Sequence, residues 1–237
     1  MTDWPSLKRF YEVASFQEQN GAFGIVLDGK PVRTPAGKLL EVPQKPLAEE
    51  ISAEWAAQGE VMETDTMPLT KLAATAIDRV QLKRADIAGA MTDFAGTDLL
   101  CYRADEPPEL VARQTERWQP LLDWAADELE AAMTVTTGVL PVPQPAAAID
   151  RLRDIVGEMD AFRLAGVSAA AAAAGSAIVA LALVAGRIEA GEAGDIALLD
   201  EEFQMERWGR DSEALARHRR IRDDLEAAAR FMRLLDG

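Results

Sequence analysis

A single cysteine, Cys101, and a single histidine, His218, are all that this chain holds of the two residue types that most often carry soft-metal, redox or triad chemistry. One thiol cannot build an intramolecular disulfide framework, which points to a reducing compartment. Cys101 has apolar neighbours and reads as a small core residue. One imidazole excludes histidine-based triads and multi-histidine metal sites. Phosphate-binding loops are missing as well: there is no Gly-x-x-x-x-Gly-Lys-Ser/Thr and no Gly-x-Gly-x-x-Gly following a strand, because Gly21, Gly24 and Gly29 belong to hairpins. No cofactor and no metal is expected.

Basic charge is scarce too. Lys and Arg number 25 against 40 Asp and Glu, a formal net charge of -15. Nucleic-acid phosphates need a basic footprint, and anionic membrane surfaces attract basic segments, so both partners are disfavoured. The acidic balance fits a soluble, monomeric protein that resists self-association. The opening Met1-Thr2-Asp3-Trp4-Pro5 has neither a basic segment before an apolar run nor an Arg-rich transit pattern, and the expected location is the cytoplasm. Membrane insertion is not expected either. The 23 uncharged residues between Arg163 and Arg187 are mostly alanine, and Gly175-Ser176 divides them into Ser168 to Ala174 and Ala177 to Ala185. With Ser176 as N-cap of the second part, the pattern predicts two closely packed core helices.

What is present falls into two patterns. Residues 10 to 42 alternate short apolar runs with turn signals, of which Asp28-Gly29 is a hairpin signature and Ala36-Gly37 a second reversal. Leu47, Ile51 and Trp55 then recur at four-residue steps, predicting a helix over 46 to 58 with Gly59 at its C-terminal cap. After Pro68 the period is helical, first through Leu69, Leu72, Ala73, Ala76, Ile77 and Val80. Six further helices are predicted at roughly 84 to 100, 109 to 130, 147 to 164, 177 to 186, 192 to 207 and 211 to 234, with Pro120 interrupting the 109 to 130 helix. Thr134 to Pro145, rich in proline, reads as a connector. The predicted fold class is α+β: a small N-terminal antiparallel sheet with a helix in residues 1–65, then a larger all-α domain in 66–237.

Residues 195 to 209 are the most informative stretch. At about 100° per residue, Ile196, Leu199 and Phe203 cluster on one side of a helix, Leu198 and Met205 extend that side, and Glu202 and Glu206 fall between them. Carboxylates inside an apolar face need partners. Two sources are open: internal arginines, with Arg79, Arg103 and Arg187 as candidates, or arginines of another protein. Trp208 lies about opposite the stripe, as a packing residue or an exposed anchor. Trp118 and Trp124 read as core anchors. The run Arg217 to Arg222, containing His218, reads as a solvated helical face with Glu213, Asp223 and Asp224 offering salt bridges. A glycosidase-type acid pair is disfavoured, since Glu202 and Glu206 are one turn apart on one element while catalytic carboxylates flank a cleft.

Six strings in order complete the reading: Leu27-Asp28-Gly29-Lys30-Pro31-Val32-Arg33-Thr34-Pro35, Glu54-Trp55-Ala56-Ala57-Gln58, Met67-Pro68-Leu69-Thr70, Asp98-Leu99-Leu100-Cys101-Tyr102-Arg103-Ala104, Trp118-Gln119-Pro120-Leu121-Leu122-Asp123-Trp124, and Leu199 to Gly209. Over about residues 9 to 210 the chain resembles the F-type ATP synthase assembly chaperones specific for the α subunit of the catalytic head. The resemblance implies a non-enzymatic chaperone that binds a newly made α subunit, covers the surface meant for the β subunit and yields it during assembly. It implies a small α+β domain followed by a helical one, and a location in the bacterial cytoplasm or, for eukaryotic relatives, the mitochondrial matrix. It places partner binding at Glu201, Glu202, Glu206, Arg207 and Trp208. A generic interaction module of an assembly pathway, and an enzyme with an unrecognised acidic site, are the alternatives.

Overall fold

The computed structural model describes residues 8–138, 140 and 142–237. Strand β1 (Ala14–Gln19) pairs antiparallel with β2 (Ala22–Leu27) from Ala14↔Leu27 to Gln19↔Ala22. At the Asp28-Gly29 reversal both residues have positive φ, 48° and 78°, the geometry a tight two-residue hairpin requires. The Asp28 carboxylate accepts the N–H groups of Glu12 and Val13, which fastens the chain entering the sheet. Strand β3 (Lys30–Pro31) follows, and the predicted reversal at Ala36-Gly37 is present, Gly37 having φ 81° between bridged Arg33 and Leu39. Strand β4 (Glu41–Val42) returns to pair with β2.

Helix α1 (Lys45–Ala56) packs on β1 and β2 and fully buries Leu47, Ala48 and Ile51, with Trp55 nearly so. Its C-cap is Ala57, two residues before the expected Gly59. The Gln58 side chain supplies the stop: it donates to the Glu54 carbonyl and Thr66 Oγ1 and accepts the Glu63 N–H, so the chain leaves the helix there. Helix α2 (Pro68–Thr75) begins with its first N–H groups unpaired within the helix, and Glu54 meets them. Its carboxylate accepts Leu69 N–H and Thr70 N–H at 2.8 Å each and the Thr70 hydroxyl at 2.6 Å. Two of the six sequence strings thus meet in one contact. After α2 a π-helical turn, Ala76–Val80, carries Asp78 to the Thr34 hydroxyl at 2.6 Å and the Ala36 N–H at 3.0 Å.

The chain divides into two compact units, the first holding residues up to Arg84 with Asp160–Gly166 and Arg230–Gly237, the second Ala85–Met159 with Val167–Ala229. In the first, Phe162 stacks on Phe231, and a Cβ at Gly166 would lie 2.7 Å from Met232 Sδ.

The second unit is helical: α3 (Arg84–Gly96), α4 (Pro108–Glu128), α5 (Ala146–Glu158), α6 (Ala161–Ala174), α7 (Ala177–Val184), α8 (Ala190–Ala197), α9 (Leu199–Trp208) and α10 (Ser212–Asp236) lie wholly or partly in it. Four expectations need correcting. Helix α4 runs on through Pro120, which removes one hydrogen bond without ending the helix. The expected 147 to 164 helix is split, because Asp160 accepts the N–H groups of Phe162 and Arg163 and starts α6 anew. The expected 192 to 207 helix is likewise two, separated at Leu198. The expected connector holds strand β6 (Thr136–Thr137), paired parallel with β5 (Tyr102–Arg103); Val139 and Pro141 of that connector lie outside the described residues.

The alanine-rich segment forms two helices joined at Gly175 (φ 66°), with Ser176 capping α7 through Val179 N–H. Buried Asp98 anchors that junction, accepting the Ser176 hydroxyl at 2.7 Å and the N–H groups of Leu100 and Ile178 at 3.1 Å. Burial raises the Asp98 pKa despite these donors. Burial, with Asp98 adding to it, pushes the Cys101 thiol up to about 12, so it is an inert core thiol. Trp118 is fully buried and donates its indole N–H to the Ile196 carbonyl, and Trp124 is also buried. Among the described residues no helix is long and apolar enough to cross a membrane.

Candidate functional site

Helix α9 is where the sequence concentrates its unusual charges, and the break at Leu198 decides how they are presented. Ile196 belongs to α8, so the single stripe expected from 195 to 209 does not form, and α9 buries only Leu199 and Phe203. The two glutamates are therefore not enclosed in an apolar face: their side chains keep 38% exposure at Glu202 and 52% at Glu206. Their partners are internal arginines, though different ones from Arg79, Arg103 and Arg187.

Glu202 accepts from Arg222 Nη2 at 2.5 Å, while Arg222 Nη1 reaches Asp195 at 2.8 Å. Burial works to lower the Arg222 pKa, but the hydrogen bonds and charges of Asp195 and Glu202 outweigh it and raise the value. Glu206 pairs with Arg113 of α4 at 2.9 Å. Glu201 takes Arg217 and, at 2.9 Å, the buried ring of His218. Burial pulls the Glu201 carboxyl upward, yet hydrogen bonds from Arg217 and His218 prevail and hold it below the ordinary carboxylate range. Arg207 reaches back to Glu109 of α4. Arg113 and Arg207 both stand over the Phe203 ring, at 5.2 Å and 4.6 Å from its centroid, so this buried aromatic organises both arginines.

Beneath this layer Gln114 donates to Asp200 at 2.7 Å and accepts the Ala104 N–H, while the Arg103 guanidinium donates to the carbonyls of Leu100 and Gln114. Burial raises the Asp200 pKa, Gln114 and Arg103 opposing it. The first turn of α9 is thus tied to α4 by a part-buried hydrogen bond, and its last residue is released: Trp208 is 78% exposed.

All five predicted site residues lie on α9, four of them in ion pairs. Sequence reasoning missed the opposite wall. The run Arg217 to Arg222 is not wholly a solvated face, because His218, Arg222 and Leu225 share one side of α10, with His218 and Leu225 buried. The three- and four-residue spacing of 218, 222, 225 and 229 carried that signal. Between α9 and α10 opens a groove of about 390 Å³ lined by Glu202, Met205, Glu206, Arg210, Leu215, His218, Arg219 and Arg222. No cluster of three or more His, Cys, Asp or Glu able to hold a metal occurs among the described residues.

A sheet-backed helix unit and a helical unit bearing a paired, surface-lying charge array define an α+β protein with a candidate protein-binding face. Residues 8–126 match the family described as ATP12 chaperone protein. Over 217 residues, 86% of this chain and 75% of the relative, it is 27% identical to the mitochondrial protein atp12 of Schizosaccharomyces pombe. The crystal structure of Atp12 from Paracoccus denitrificans superposes with a TM-score of 0.91 at 40% identity, covering 98% of this chain and 100% of that one. A protein of Agrobacterium tumefaciens gives a TM-score of 0.91 at 39% identity, covering 99% of this chain and 87% of that one. The chain belongs to the ATP12 chaperone family, and the fold class expected from its sequence is the one observed.

Proposed function

We propose that this chaperone binds the unassembled α subunit of the F-type ATP synthase catalytic head in the cytoplasm, shields the surface destined for a neighbouring subunit, and gives it up during assembly without catalysing a reaction. A ring subunit made before its neighbours exposes apolar faces that aggregate. The observation that carries the reading is the construction of α9: Trp208 stands 78% exposed at the end of a helix whose acids and arginine are fixed by Arg113, Arg217, Arg222 and Glu109. A pre-ordered aromatic anchor costs little entropy to bind. Glu201, Glu202, Glu206, Arg207 and Trp208 form the client-facing set in this reading.

The test mixes the purified chain with isolated α subunit and, separately, with β subunit, and follows turbidity and complex formation by size exclusion. Complex formation and solubility gained by α alone are expected. Equal protection of both subunits, or of neither, overturns the client assignment. Trp208→Ala should weaken the α complex by about 2 kcal/mol, the usual cost of truncating an aromatic anchor, with the melting temperature unchanged because Trp208 packs on little.

A further inference from the structure

The acids of α9 are already answered, so the charge left over in the groove between α9 and α10 is positive. Glu202 is held by Arg222 at 2.5 Å, Glu206 by Arg113 at 2.9 Å, and Glu201 by Arg217 and His218. Two of the lining residues, Arg210 and Arg219, are exposed and make no ion pair among the described residues. A client arginine offered to Glu202 or Glu206 would have to displace a pair that exists, whereas a client carboxylate offered to Arg210 and Arg219 displaces only water. Met205, half-buried, and Leu215, exposed, supply the apolar part of the lining. The volume of about 390 Å³ lies near the lower end of the roughly 300–1,000 Å³ range of binding pockets, enough for one or two side chains rather than a docked helix.

We infer that this groove receives an acidic-apolar segment of the client: a carboxylate seated between Arg210 and Arg219 with an adjacent aliphatic side chain against Met205 and Leu215. The inference deepens the chaperone reading and rests on it for the identity of the client. Polarity is its distinguishing claim, since it reverses the alternative in which the acids of α9 greet client arginines. Guanidinium forks suit a carboxylate that must be both held and oriented, and the neighbouring Glu202 and Glu206 repel that carboxylate only weakly because each is already ion-paired, Glu202 with Arg222 and Glu206 with Arg113.

The test titrates the full chain, with its arginine Nε–H resonances labelled, against two synthetic peptides, acetyl-Glu-Leu-Leu-Glu-amide and acetyl-Lys-Leu-Leu-Lys-amide. The acidic peptide is expected to shift Arg210 and Arg219 saturably, with the basic peptide leaving them in place. In the Arg210→Glu/Arg219→Glu variant its affinity should fall about tenfold or more. The Arg117→Glu/Arg220→Glu variant, with the same change in net charge at exposed arginines outside the groove, should bind as the parent does. Both variants alter exposed residues, and a melting curve verifies their fold. No saturable shift, or equal response to both peptides, overturns the inference, as does acidic-peptide binding that survives the groove reversal. The peptides carry no part of the α subunit, so a saturating peptide response beside a failed α-subunit complex overturns the client assignment alone, and the opposite pair of results overturns the groove alone.

Discussion

At the scale of single residues, the side chains with the largest structural consequences are acids placed where hydrogen-bond donors have no other partner. Asp98 is the clearest: fully buried, it accepts one hydroxyl and two backbone N–H groups at the entry to α7. Asp98→Ala leaves those donors buried and unpaired, and the expected cost is about 2–4 kcal/mol in a urea unfolding experiment. Ser176→Ala, which removes only the cap on Val179 N–H and one hydrogen bond to Asp98, should cost about 1 kcal/mol. Glu201 acts through pH. Its folded pKa is depressed, so its contribution is present above the unfolded carboxylate pKa and is lost as pH falls through the lower, folded value. Glu201→Gln should therefore flatten the acid limb of stability below about pH 4.3, the ordinary glutamate pKa. Asp200 has the opposite sign: its raised pKa means that stability grows as pH falls through the folded value. Unfolding midpoints measured from pH 7 to 3 on Glu201→Gln and Asp200→Asn should move in opposite directions relative to the parent, and parallel movement would refute the assignment. The side chain of Glu201 keeps 39% exposure, which makes its effect the weaker of the two.

Elements show where the sequence spoke plainly and where it did not. The Asp28-Gly29 hairpin, the Leu47, Ile51 and Trp55 face of α1, and the Ser176 cap were legible because each rests on contacts within a few residues. The break at Leu198 was not, since no glycine or proline between 195 and 208 marks a helix end, yet Ile196 and Phe203 are buried on the two helices that it separates. That one break turned two acids from an expected interior position to the surface and hid the identity of their partners. Strand β6 was invisible for a related reason: two residues carry no periodicity, and only pairing with Tyr102–Arg103 makes them a strand. Helix α8 offers a test of how firmly the ion-paired layer is set. A Cβ on Gly194 would meet Arg222 at Nη1, 2.8 Å, and at Cγ, 3.1 Å, so this glycine is the space into which the arginine lies. Gly194→Val should drive the guanidinium off Asp195 and Glu202 and lower stability by about 1–3 kcal/mol, in keeping with overpacking of a filled site. Chemical denaturation measures it, and an unchanged midpoint would mean that Arg222 moves aside freely.

For the whole molecule, a net charge of -15 and a local cationic groove act over different distances. At physiological salt the Debye length is about 8 Å, so the acid surplus is largely screened from a distant partner, while a segment docked in the groove as proposed feels Arg210 and Arg219. In the proposed reading the chain holds its client by short-range fit rather than by long-range capture, and a fit confined to one or two side chains and an exposed tryptophan is modest. Release then needs no energy source. A standard stable subunit interface buries about 1,600 Å², and a correct neighbour present at about 100 times its dissociation constant shifts the equilibrium by about 2.7 kcal/mol. If the chaperone and the β subunit cover overlapping surface on α, adding β to a preformed complex of this chain with α should free the chain in proportion to occupancy by β, approaching completion as β rises well above its dissociation constant. The release should be the same with a non-hydrolysable nucleotide as with ATP, because mass action alone drives it. Size exclusion of the mixture across a range of β concentrations reads the free chain directly. A ternary complex that persists at saturating β would show that the two surfaces do not overlap, and release that stalls without hydrolysis would show that competition is not the driving force.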